Sequence, residues 1–118
     1  MTASRTTKER GRARLRSRIR RLLAKWEPVL GVRVNGWSIV DHEDLGPYLA
    51  SVDVDAATIR FCDQLAGRSL DFVEFTVVHE LAHLLLRGTR GHPKRFRDTM
   101  DLYLPSWRRY DIRHGRTR

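Results

Sequence analysis

The chain has 118 residues, 41% hydrophobic and 31% charged, enough for one domain around one core, which excludes a multi-domain assembly and equally a disordered or fibrous polypeptide. Its one cysteine, Cys62, excludes an internal disulfide, and no apolar run approaches the ~20 residues of a membrane span or follows the basic N-terminus as a signal peptide would. These features predict a soluble cytoplasmic protein with no membrane partner, while the net charge of +9 raises the question of where the excess cations sit.

Residues 1–9 are small and polar and are expected to form a disordered basic tail, leaving 10–118 as a single domain. Leu15, Ile19, Leu22, Leu23 and Trp26 recur at helical spacing and predict a first helix over roughly 10–26, ended by Glu27-Pro28. Gly31 then opens a stretch in which Val32, Val34, Trp37, Ile39 and Val40 predict a strand or two, with a turn at Asn35-Gly36. Asp41 to Pro47 reads as a loop, and its polar cluster His42, Glu43 and Asp44 is explained most simply by solvation. Tyr48 to Val54 and Ala57 to Cys62 predict two short strands around a turn at Asp53 to Ala56, paired antiparallel, with Cys62 a small buried residue at a strand end.

From Ser69 the period changes. Ser69 is a good N-cap, Asp71 sits in the first turn where the helix dipole favours an anion, and Gly88 is placed as a stop, predicting a second helix over about 70–87. Its apolar residues wrap most of the way round, which marks a helix running through the core. Pro93 starts a third helix with Phe96, Met100 and Tyr103 as its inward stripe, Pro105 ends it, and Ser106 is placed to cap a last short turn. The pattern as a whole predicts an α+β domain: an N-terminal helix, a short antiparallel sheet, a buried helix and a C-terminal helix.

The charge is unevenly distributed, with residues 1–25 net +9, 26–86 net −7 and 87–118 net +7. The basic ends therefore either flank or face an acidic centre. Read functionally, they form a patch for nucleic acid or another polyanion. The plainer reading is that Arg12, Arg14, Arg16, Arg18, Arg20 and Arg21 are the solvated face of a helix, since no aromatic residue interleaves with them to stack on bases.

His79-Glu80-Leu81-Ala82-His83 is an H-E-x-x-H motif inside the helix already assigned to the core. Four residues apart, the imidazoles lie on one face and converge on a single Zn²⁺, and Glu80, angularly adjacent, reaches a water at the ion. Ionisable side chains on an apolar helix are costly to bury without a partner, and a metal supplies one; hydrogen-bonded core histidines are the alternative. A catalytic zinc wants three protein ligands and an open position. His92 is the best candidate for the third, because Gly88 and Gly91 let the chain turn back and Pro93 fixes it at a helix entrance; Glu74, Asp98 and Asp101 are its rivals, with Glu74 placed off the ligand face.

Phe72 to Tyr110, with His92, the Arg95-Phe96 pair and Pro105-Ser106-Trp107-Arg108 following the motif, resembles the C-terminal half of the SprT-like and YgjP-like zinc metallopeptidases. Lys25-Trp26-Glu27-Pro28, Gly31-Val32, Val34-Asn35 and Trp37 resemble the segment leading into the metal domain of YgjP-like members, so the likeness covers most of 15–112. It implies a small zincin-like domain with His79, His83 and His92 as zinc ligands, Glu80 as the catalytic residue and a peptide or protein as substrate. Two features depart from the pattern. Val40 to Val54 is acidic and lacks a basic Trp-Gly-Ser-Cys type stretch, and the loop between His83 and His92 is longer than in YgjP-like members.

The resemblance further implies that an edge strand near Ala57 to Cys62 holds an extended substrate by backbone pairing. Tyr103, Arg108, Tyr110 and His114 are unranked candidates for oxyanion stabilisation. A metal-dependent nucleotide phosphohydrolase is the alternative enzyme, and a nucleic-acid or partner-binding module with a structural or vestigial metal site is the alternative of another class; the presence of Glu80 argues against the last.

Overall fold

The structure, a computed structural model, describes residues 6–87 and 93–111. Helix α1 spans Thr7–Leu30 and buries Leu15, Ile19, Leu22, Leu23, Trp26 and Leu30, the periodic stripe continued by one more turn. It starts earlier than composition suggests because Thr6 and Glu9 form a capping box: the Glu9 amide donates to Thr6 Oγ1 (3.1 Å) and the Thr6 amide to Glu9 Oε1 (2.9 Å). Residues 6–9 are thus part of the helix entrance, and 1–5 lie outside the described residues. Nor does α1 stop at Pro28. Proline forfeits one amide bond in the last turns, but Leu30 is anchored in the core, and Gly31, at φ 72°, takes the left-handed cap and donates its amide to the Glu27 carbonyl at 2.9 Å.

Strand β1 (Gly36–Val40) leads through the short helical turn α2 (His42–Leu45) to β2 (Ala50–Asp53) and β3 (Thr58–Cys62). β2 and β3 form the expected antiparallel hairpin, with Val52 opposite Ile59; its turn holds Ala57 at φ 56° and is braced by the Ala56 amide on Asp53 Oδ1. The sheet is mixed, however, because β1 joins the far side of β3 in parallel register, Trp37 opposite Ile59. Asn35 accordingly makes no hairpin of its own. Its amide and side chain donate to the Ala57 and Ala56 carbonyls, tying the start of β1 to the β2–β3 turn.

The strand order β1-β3-β2 makes β3 central, so the expectation of an edge strand at Ala57 to Cys62 is corrected: both of its sides are already paired, and among the described residues the free edges belong to β1 and β2. Cys62 is free and buried at the end of β3, where loss of solvation pushes its thiol pKa up.

Helix α3 (Leu70–Leu85) is capped by Ser69, whose hydroxyl accepts the Phe72 amide at 3.1 Å. It buries residues on nearly every side, because α1, β2 and α4 (Pro93–Tyr103) all pack against it. Burial of a side chain the size of Phe72 or Phe75 stabilises by about 1.5–3 kcal/mol. α4 sends Met100 into the core with Phe96 and Tyr103 packed beside it.

A 3₁₀ turn (Pro105–Trp107) and the short α5 (Arg108–Asp111) complete the described chain. Leu104, not Ser106, holds the N-cap position of that turn. Trp107 is buried, and its indole Nε1 donates to Asp101 at 2.8 Å, locking the turn back onto α4. Among the described residues no helix is long and apolar enough to cross a membrane.

Candidate metal centre

Helix α3 delivers His79 and His83 to one face, one turn apart, with their Nε2 atoms 3.1 Å from each other. Two imidazole nitrogens each ~2.0–2.1 Å from a tetrahedral zinc are about 3.3 Å apart, so the pair already has the separation of two ligands on one ion. Burial disfavours the charged form of both rings. It pushes His79 down to about 3, with repulsion from His83 adding to the effect, and it lowers His83 as well. Both are therefore neutral near pH 7, the state in which imidazole binds a metal. His79 Nδ1 is buried and has no hydrogen-bond partner among the described residues, so the polar interactions of that ring rest on Nε2.

Two phenylalanines hold these rings. Phe96, from α4, stacks on His83 with centroids 4.7 Å apart and meets His79 edge-on at 4.9 Å, while Phe75 meets His79 edge-on from the preceding turn of α3. The imidazoles are wedged between apolar faces, which restricts their rotation. Phe75 lies four residues before His79, so helical spacing alone points to it. The contact of Phe96 needs the fold, because it depends on how α4 returns across α3.

Glu80 occupies the adjacent angular position and has no exposed surface. The other carboxylates weighed as ligands are engaged elsewhere. Glu74 accepts from Lys25 Nζ and Trp26 Nε1, both at 2.8 Å, which pins α3 to α1; burial pushes its pKa up, but those two bonds and the lysine charge outweigh it and hold it below the usual range. Asp98 pairs with Lys94 at 2.9 Å. Asp101 accepts from Trp107 and Arg108, whose bonds hold its carboxyl below the ordinary value.

Among the described residues no three His, Cys, Asp or Glu side chains come together as a metal site. The third ligand expected from sequence, His92, lies outside the described residues, as do the stop and hinge glycines Gly88 and Gly91. The two imidazoles have the separation that fits an ion, and among the described residues no further metal-binding side chain joins them to make a set of three. His42, Glu43 and Asp44 are exposed on α2, as solvation predicts. Of the oxyanion candidates, Arg108 is spent on Asp101 and on the face of Trp107, and Tyr103 packs half-buried against the core. The side chain of Tyr110 and all of His114 lie outside the described residues.

A sequence model described as the YgjP-like metallopeptidase domain matches residues 2–113. No curated protein and no solved structure matches the chain. The family match takes in α1, the sheet, the H-E-x-x-H helix and the C-terminal helices as one unit, and by it the chain belongs to the YgjP-like metallopeptidases.

Proposed function

We propose that this chain is a zinc-dependent metallopeptidase in which His79, His83 and His92 hold the metal and Glu80 is the general base. The observation that carries the reading is the pair of imidazoles, Nε2 atoms 3.1 Å apart, on a helix buried on nearly every side. Family membership supports metal-dependent peptidase chemistry in general, and the choice of zinc rests on the donor set, since neutral imidazole suits zinc among several transition metals. Zinc bound there supplies a Lewis acid that makes a water nucleophilic near neutral pH and polarises the scissile carbonyl.

Glu80 takes a proton from the attacking water and delivers it to the nitrogen of the departing amine, so that the peptide C–N bond breaks after the new C–O bond has formed. Phe75 and Phe96 keep the rings in place. The extended substrate adds as a strand to the outer edge of β2, which packs against α3, pairs on its other side with β3 and has no strand on that outer edge among the described residues.

The test is metal content per chain by mass spectrometry, with peptide hydrolysis assayed on the same samples, for the wild type and the Glu80→Gln and His92→Ala variants. The expected result is one zinc in the wild type and in Glu80→Gln, weaker retention in His92→Ala, and activity lost in both variants. A wild type that takes up no zinc under metal-replete conditions sinks the proposal, as does full hydrolysis by Glu80→Gln. Pyrophosphate release from nucleoside triphosphates without peptide cleavage would replace it with the phosphohydrolase reading.

A further inference from the structure

The acidic middle of the chain does not neutralise α1. Among the described residues, ion pairs take up only three of its cations: Lys8 and Arg12 reach Asp41 and Asp63, and Lys25 reaches Glu74. Arg10, Arg14, Arg16, Arg18, Arg20 and Arg21 have no acidic partner there, and all but the half-buried Arg18 are exposed.

The helical period sorts them into two rows. Arg10, Arg14, Arg18 and Arg21 run in line with Lys25 along one flank, and Arg16 and Arg20 along the other. Within each row neighbours stand three or four residues apart, a spacing at which like charges destabilise a helix, and among the described residues only Lys25 at the end of the longer row has its charge met by an acid.

From this we propose that α1 is a docking surface for the phosphate backbone of double-stranded nucleic acid, bound without regard to sequence. The four unpaired arginines of the longer row extend over about 17 Å, with a cation roughly every 6 Å, and so run beside several phosphates of a duplex that advances about 3.4 Å per nucleotide along each strand. The cations are almost all arginine, whose planar fork binds phosphate oxygens in pairs. Between the rows lie Ala13, Ser17 and Ala24, which offer no aromatic ring for stacking on single-stranded bases and no apolar bulk for insertion into a membrane. The surface is made by α1 alone and does not depend on the metal reading.

The test is fluorescence anisotropy with the full chain and a 20-base-pair DNA duplex, the RNA duplex of the same sequence, a scrambled DNA duplex and vesicles of anionic lipid, each titrated across salt. The expected result is binding to duplex, equal for the two DNA sequences, with a log–log salt slope of about −4 or steeper. Replacing Arg10, Arg14, Arg18 and Arg21 together by Gln should flatten that slope by about 3 and weaken binding more than tenfold, with the fold intact by circular dichroism. The same four charges removed at exposed Arg33, Arg60, Arg95 and Arg97 should leave the slope within about 1 of wild type. The DNA and RNA arms show which duplex is preferred. Equal losses in the two quadruple variants, no duplex binding by the wild type, or tighter binding to vesicles would each overturn the proposal.

Discussion

Helices α1 and α3 treat polar chemistry in opposite ways. α1 keeps an apolar stripe inside and places most of its cations outside, where they meet solvent and a mutation is cheap. α3 is apolar almost all round and carries His79, Glu80 and Thr76 inside, where every polar atom must find a partner or destabilise the fold. A charged residue on α1 is therefore weak grounds for function until its partners are counted, whereas an ionisable one on α3 asks for an explanation at once. The two helices are joined by Glu74, which reaches from α3 to Lys25 and Trp26 of α1.

The largest effect expected on α3 is catalytic. Glu80→Gln should lower peptide hydrolysis by ~10²–10⁴-fold while metal content stays at the wild-type level, a split that steady-state kinetics beside metal analysis would show. Next comes stability. Phe75→Ala should cost about 3–5 kcal/mol in urea denaturation, because it opens a cavity in the core and removes a wall of His79. Arg16→Ala on α1 should stay within about 0.5 kcal/mol. If the two costs proved similar, the contrast between the helices would be wrong.

Phe96→Ala sharpens the comparison at the site itself. It should weaken zinc binding by roughly tenfold, the scale seen when a residue that orients a ligand is lost, and Phe96→Tyr should restore most of it in a competition titration with a chelator.

A more modest effect concerns the joint between the helices. Glu74→Gln keeps an acceptor for Trp26 but loses the charge facing Lys25, and should cost about 1 kcal/mol at pH 7. Because the folded pKa of Glu74 lies below its unfolded value, this contribution is complete above the unfolded pKa, near 4.5, and disappears as pH falls through the folded one. Denaturation of both proteins at descending pH should show the gap closing in that window. A gap that stayed constant down to pH 2 would mean that the charge of Glu74 plays no part.

What could be read from the chain alone was local. The stripe of α1, the N-cap of α3 at Ser69, the β2–β3 hairpin and the pairing of His79 with His83 on one helix face all follow from spacing, because neighbours three, four or two residues apart are fixed by the helix or strand itself. Even local reading slipped where one signal hid another. Pro28 looked like a stop until Gly31 supplied the cap, and Thr6 with Glu9 set the helix start inside what composition marks as a tail.

The tertiary structure decided the rest. It placed β3 in the middle of the sheet, with β1 parallel to it, and so moved the free edge beside α3 to β2. It laid Phe96 over both imidazoles and assigned Glu74, Asp98 and Asp101 to partners of their own. Among the described residues it also left six arginines of α1 without an acidic partner, although ten acidic residues follow in the central segment. In each case the partners are far apart in sequence, and their meeting depends on which way a connection closes, something no local period encodes.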